Sequence, residues 1–171
     1  PDLSLNYQVP VEYVIADIKV EGAPHLNHAT LISISGLKIG DKVSIPGDVF
    51  SNAIKKLWKQ KIIGNVKIEV SKIEGEKIYI VLQIKERPRL STYTISGVRK
   101  SENTDLKDKI GFIRGQVLSD ALKKNATFSI QKYFEEKGLF NTSIKVTERK
   151  DSTLKNHVRL NFHVKKGKHV K

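Results

Sequence analysis

Laid on itself at a shift of 75 residues, the sequence brings glycine onto glycine three times: Gly22 onto Gly97, Gly36 onto Gly111 and Gly40 onto Gly115. Between them Ile18 and Val20 meet Tyr93 and Ile95, and Val43-Ser44 meets Leu118-Ser119. At a shift of 76, Ile54, Leu57 and Trp58 meet Ile130, Tyr133 and Phe134. At a shift of 80, Ile78, Ile80, Leu82 and Ile84 meet Val158, Leu160, Phe162 and Val164. A shift that grows along the chain is what one extra residue in a helical region and a longer hairpin loop produce, and loops absorb such insertions at little cost. An ordered set of this kind requires one small supersecondary unit, used twice.

Each copy spells the same elements. Ala16, Ile18 and Val20 alternate with Asp17 and Lys19, the period of a half-buried strand. A short helix is predicted over 27–35 in the first copy and 104–110 in the second, with Gly36–Gly40 and Gly111–Gly115 stopping it and turning the chain. Phe50, Ala53, Ile54, Leu57 and Trp58 form the i, i+3, i+4, i+7, i+8 stripe of a second helix. Ala126, Ser129, Ile130, Tyr133 and Phe134 repeat it behind a Ser119-Asp120 cap, and Gly138 closes it. A hairpin follows. Val66, Ile68 and Val70 face one way and Lys67, Glu69 and Ser71 the other, and Ile78–Ile84 supplies the matching inward face after the Glu74-Gly75-Glu76 turn. In the second copy Ile144 and Val146 oppose Val158–Val164, whose outward partners are Arg159, Asn161, His163 and Lys165.

The expectation is an α+β chain of two tandem β-α-α-β-β modules, each a three-stranded sheet covered on one face by two helices. Residues 1–12 form an N-terminal extension, 13–88 the first module and 89–171 the second. Lys85, Glu86, Arg87 and Pro88 form the joint between them, and Pro88 biases Arg87 toward extended backbone.

Charge divides the copies. Of the net +13, residues 1–88 carry +2 and residues 89–171 carry +11, so basicity is a speciality of the second copy rather than of the shared frame. The chain has no cysteine, which removes disulfide and thiolate chemistry, and no methionine, which reads as a piece of something longer. No charged-then-apolar leader precedes Tyr13, and no apolar run approaches the ~18 residues of a membrane-spanning helix.

Catalytic chemistry finds no convergent set. His25 and His28 share one loop, His157, His163 and His169 lie on or beside the last hairpin, and none has carboxylate or histidine partners at ligand or general-base spacing. Gly36-Leu37-Lys38-Ile39-Gly40 lacks the Gly-Lys-Ser/Thr ending of a phosphate loop. Trp58 and Phe134, at equivalent stripe positions, are expected in the core, and the Lys55, Lys56, Lys59, Lys61 cluster on the solvated face of its helix. No catalytic residue, metal or cofactor is expected.

The strand ending in Glu21-Gly22, the Gly40-Asp41-Lys42-Val43 turn, the Leu57-Trp58 helix end leading into Val66–Val70, and Lys85-Glu86-Arg87-Pro88 followed by Thr94-Ile95-Ser96-Gly97 together resemble the polypeptide-transport-associated (POTRA) modules. The nearest likeness is to the membrane-distal pair in the BamA-like family of outer-membrane assembly factors, over about residues 13–168. The resemblance implies a mixed sheet in which the third strand of each module also pairs with the first. It implies a non-enzymatic scaffold in the periplasm of a Gram-negative bacterium, belonging to an outer-membrane protein. Its partners would be unfolded outer-membrane protein clients, periplasmic chaperones and accessory lipoproteins. A dedicated two-partner-type secretion transporter of the same superfamily is the alternative.

Under that pairing the second strand of each module is an edge, where an extended peptide could add by β-augmentation. The candidate polypeptide-binding residues are Val66, Lys67, Ile68, Glu69, Val70 and Ser71, and Asn141, Thr142, Ser143, Ile144, Lys145, Val146 and Thr147. About four net hydrogen bonds at ~1 kcal/mol each, less the ordering of the client, give affinities near ~1 mM per module. Lys67, Glu69 and Lys145 are equally the charges with which soluble proteins guard such edges. The basic second copy offers a further alternative, an RNA-binding module or one in contact with anionic lipid headgroups. Nucleic acid is not expected, because no Gly-x-x-Gly loop joins the helices and Tyr79 is the main outward aromatic.

Overall fold

The computed structural model describes residues 9–169, and the chain divides between Glu86 and Arg87 into two compact units. The first contains β1 (Val11–Gly22), α1 (His28–Ser35), β2 (Lys42–Ile45), α2 (Val49–Trp58), β3 (Ile63–Glu74) and β4 (Lys77–Glu86). Its sheet runs β2-β1-β4-β3, with β1 parallel to β4 and the other pairs antiparallel. The second contains β5 (Arg89–Ser96), α3 (Lys100–Ile110), α4 (Asp120–Glu136), β6 (Ser143–Lys150) and β7 (His157–Lys165). Its sheet runs β5-β7-β6, with β5 parallel and β6 antiparallel to β7. No helix among the described residues is long and apolar enough to cross a membrane, which says nothing of β-barrels.

The first sheet has four strands rather than the three expected. Val43 and Ile45 are buried while Lys42 and Ser44 face out, and the segment pairs with Val11–Val14 of β1. Pairing from Val11 also starts β1 two residues before the Tyr13 boundary; of the presumed extension, residues 1–8 lie outside those described. The second unit has only an isolated bridge, Arg89 to Val117, at the corresponding place. Local chemistry explains the difference. Pro46-Gly47 follows β2 and delays helix formation, whereas Ser119 accepts from the Leu122 amide at 3.2 Å and starts α4 at once. The stretch after the strand position, residues 46–48 in the first unit, is therefore loop there and helix in the second, 10 residues in α2 against 17 in α4.

The first helices also begin by capping rather than by apolar pattern. Asn27 caps α1 through the Thr30 amide at 2.9 Å. α3 starts at Lys100, four residues before the expected Thr104, because the Glu102 carboxylate accepts from the Arg99 amide at 2.8 Å. Gly22 and Gly97, both at φ +81°, close the opening strands where a side chain would not fit. A Cβ there would fall on the carbonyl oxygen of Ile84 and of Val164 respectively, which are themselves repeat partners.

Each unit has its own core. Ile15, Leu57, Ile78 and Leu82 are fully buried in the first, and Leu106, Ile130, Phe134, Leu160 and Phe162 in the second. Burial of each such side chain contributes about 1.5–3 kcal/mol. The expected core placement of Trp58 is corrected: it is 41% exposed, while its partner Phe134 is at 0%. α2 ends at Trp58 and Leu57 takes the core position, whereas α4 continues two residues beyond Phe134.

Candidate functional site

β3 and β6 each pair with a single strand and lie at the edge of their sheets. Along β3, Val66 is buried, Ile68 and Val70 are half-buried on the helix side, and Lys67 faces out. The regular ladder to β4 runs from Asn65 to Val70 and then shifts at Ser71, whose hydroxyl donates to the Tyr79 carbonyl at 3.2 Å. Ser71 thus belongs to a bulge that bends the edge rather than to the free ladder. β6 is regular throughout its 8 residues.

Two of the expected β6 residues are displaced. Asn141 sits at φ +63° in the turn before the strand, and Thr142 is 3% exposed. The Thr142 hydroxyl donates to the Leu139 carbonyl at 2.8 Å and accepts from the Gly167 amide at 3.0 Å, so it is consumed in holding the turn. The edge instead runs on through Glu148, Arg149 and Lys150. In the joint, Lys85 and Glu86 are the last residues of β4, and Glu86 accepts from the His25 amide at 2.7 Å; only Arg87 and Pro88 lie between strands.

Beside each edge runs a groove toward the second helix of the same unit. In the first, Ile68, Glu69 and Val70 face Val49, Phe50 and the Val43–Gly47 segment across about 430 Å³. In the second, Val146 and Glu148 face Asp120, Lys123, Thr127 and Phe128 of α4 across about 550 Å³. The strand residues correspond. Ile68 opposes Leu82 and Val146 opposes Phe162, while Val70 opposes Ile80 and Glu148 opposes Leu160. Grooves of similar size therefore recur at equivalent positions, with different linings.

The first lining sets Val43, Ile45, Phe50, Ile68 and Val70 beside Ser44 and Glu69, with Val49 37% exposed at its rim. In the second, Glu148 takes the place of valine and forms an ion pair with Lys123, which also reaches Asp120 at 3.4 Å. Partial burial works to lower the Lys123 ammonium, but hydrogen bonds and charge from Glu148 and Asp120 outweigh it and hold the group above the usual lysine range. Phe128 stands 67% exposed at the rim of this groove.

Phe128, Lys123, Val49 and Phe50 were not among the sequence-based candidates. The usable signal was Phe128, an aromatic standing off the apolar stripe between Thr127 and Ser129. Glu148 was visible only as a break in the strand alternation. The histidines are dispersed: His28 Nε2 lies 3.1 Å from the Gly22 carbonyl, His163 Nδ1 2.9 Å from the Ser96 hydroxyl and His157 Nδ1 2.7 Å from the Lys155 carbonyl. Among the described residues no group of three or more His, Cys, Asp or Glu is placed to hold a metal ion.

Residues 88–167 match the family model described as POTRA, surface antigen variable number repeat. Over 164 residues the chain is 24% identical to the outer membrane protein assembly factor BamA of Neisseria meningitidis serogroup B. That alignment takes in 94% of this chain but 19% of the relative, so the chain spans about a fifth of the length of that curated protein. POTRA3-5 of Haemophilus influenzae BamA superposes with a TM-score of 0.55 at 12% identity, covering 97% of this chain and 71% of that one. POTRA1-2 of the periplasmic domain of Omp85 from Anabaena gives 0.51 at 10% identity, covering 90% and 96%. The structural likenesses establish fold. With the family match and the BamA relative, they show that the chain resembles the POTRA region of a BamA-like assembly factor.

Proposed function

We propose that the chain is a non-enzymatic, periplasmic polypeptide-receiving region of an outer-membrane β-barrel assembly factor, taking up extended client segments at β3 and β6. The observation that carries this reading is the recurrence, at equivalent residues of both units, of an edge strand flanked by a groove. An added strand would hydrogen-bond along Asn65–Val70 or Ser143–Lys150, and alternate side chains would drop into the groove beside it. Main-chain bonds accept any sequence, which suits a receptor for many clients, and the grooves add a preference. A single module holds weakly, so retention comes from engaging two edges of one chain. The BamA relative supports the assembly setting and the Omp85 structure the periplasmic one; chaperones and accessory lipoproteins are further partners within the same proposal.

The test is an amide chemical-shift titration of the chain with an unfolded outer-membrane protein peptide up to ~1 mM, the affinity scale of a few net backbone hydrogen bonds. Shifts are expected along Asn65–Val70 and Ser143–Lys150, together with Phe50 and Phe128. Shifts confined to other surfaces, or none at that concentration, overturn the edge-strand reading.

A further inference from the structure

The excess charge of the second unit has an address. Residues 141–171 hold nine Lys/Arg against two Asp/Glu, +7 of the +11 carried by residues 89–171. On the sheet face turned away from α3 and α4, strand register sets the outward residues in rows. Thr92, Arg159 and Arg149 form one row, and Thr94, Asn161 and Thr147 the next. The two rows line a shallow depression of about 430 Å³. Lys145 and Lys165 continue the charge along the face, both exposed.

Arg149 and Arg159 are direct cross-strand partners, an arrangement in which like charges repel. Arg159 meets Asp151 at 3.3 Å, but that carboxylate already accepts from the Thr153 amide and hydroxyl and the Leu154 amide, at 2.7–3.2 Å. Arg149 has no ion pair among the described residues. The matching face of the first unit is built in the opposite way. Lys67 pairs with Glu69 at 3.1 Å and Lys72 with Glu74 at 2.5 Å, and Asp17 and Glu21 add further negative charge. One frame therefore carries a charge-balanced face and a one-sided one.

We propose that this outer face of the second unit is a docking surface for phosphate-bearing anionic lipid headgroups. Arginine forks beside threonine hydroxyls match the several oxygens of a phosphodiester. The outward residues of these rows include no Phe, Tyr, Trp or aliphatic side chain, and Leu160, which also borders the depression, is buried in the core, so the face lacks both the exposed apolar anchor of a protein interface and the stacking platform of single-stranded nucleic acid. A flat, hydrated, cationic surface instead complements a headgroup layer that stays wet, and each arginine or lysine near such a layer strengthens attachment about fivefold. Contact on this face leaves the second unit's own peptide-receiving groove, on its helix side, open to clients. The proposal does not depend on those clients.

The test is co-flotation of the full chain with vesicles of phosphatidylcholine and phosphatidylglycerol in equal parts, against vesicles of phosphatidylcholine alone. Binding is expected only to the anionic vesicles and to fall as salt rises toward ~0.15 M. The double variant Arg149→Gln/Arg159→Gln should bind about 25-fold more weakly, while Lys67→Gln/Lys72→Gln, with the same loss of charge in the first unit, should bind as the parent does. The arginine variant relieves a repulsion and keeps its amide spectrum; Lys145→Gln, alone, provides a second reading of about fivefold. Equal losses in both double variants would reduce the effect to net charge and overturn the proposal. Displacement from vesicles by inorganic phosphate, but not by chloride of the same ionic strength, would make this a site for free phosphate. Arginine-dependent binding of generic RNA without vesicle binding would likewise overturn it.

Discussion

The first unit finishes its sheet with a short fourth strand and lines its groove with valine, isoleucine and phenylalanine beside Glu69; the second omits that strand and crosses the corresponding groove with an ion pair. The first edge is bent by a bulge at Ser71, the second is regular but studded with Lys145, Arg149 and Lys150. The cores diverge too. Tyr93, Phe112 and Phe162 form a cluster of ring contacts at 5.4–6.5 Å in the second unit, where the first is packed with aliphatic side chains. Duplication has preserved what holds the backbone in place and released what a partner would touch. The two edges differ in kind: one is bent by its geometry, the other carries charge.

The largest test of this comparison uses the stripe partners that the repeat equates. Phe134→Ala should destabilise the second unit by about 3–5 kcal/mol, the range for emptying a closed aromatic core site. Trp58→Ala should cost the first unit ~1 kcal/mol or less, since much of the indole is already wet. Denaturant titrations with amide signals assigned to each unit read both values, and equal losses would show the two stripes to be energetically alike.

Next in size is acid sensitivity. Glu102 is 5% exposed, with Lys166 Nζ at 2.7 Å, Lys137 Nζ at 3.6 Å and the Arg99 amide at 2.8 Å. Burial alone would raise its carboxyl, but Lys166, the Arg99 amide and the charge of Lys137 prevail and hold it below the usual range. A carboxyl lowered by folding contributes stability that is fully present above its unfolded value of ~4.3 and lost as pH falls through the lower folded value. The second unit should therefore weaken below pH ~4.3, and Glu102→Gln should reduce that slope, leaving the part that belongs to Asp151, whose carboxyl Thr153 and Arg159 also hold low, at a cost of ~1–2 kcal/mol at neutral pH. Unit-resolved denaturation across that pH range decides it; an unchanged slope in the variant would assign the acid response elsewhere.

The smallest effect exchanges the groove linings. Val70→Glu should weaken an apolar client at the first edge roughly fivefold, and Glu148→Val should strengthen the same client at the second by a similar factor, about 1 kcal/mol each way. Peptide titrations on the two variants measure this directly. If neither affinity moves, the grooves are not where clients are read.

The frame was legible because its determinants are local and doubled: alternation in strands, a helical stripe, and glycines at matched positions. The edge strands followed from the same pattern once pairing was supplied by resemblance. β2 was not legible, because two apolar residues, Val43 and Ile45, make too short a pattern to register as a strand. The true start of α3 was hidden in a polar stretch whose helix depends on the reach of Glu102 back to the Arg99 amide. Trp58 shows the limit of reasoning by equivalence, since a stripe position at the last residue of a helix is not the same environment as one inside it. The grooves combine residues from separate elements, and Phe128 gains meaning only when α4 is seen beside β6.

The two glycines that face a carbonyl across their sheets act as fixed points in a chain otherwise free to drift. Gly22 answers to Ile84 and Gly97 to Val164, so one contact ties the opening of each unit to its close. In any longer polypeptide assembled from this unit, such a pair is a punctuation mark by which units can be counted without reference to their surfaces. It is also a switch for dissection: alanine at one of these positions should dismantle a single unit and leave its neighbour folded, separating contributions that net binding blends together.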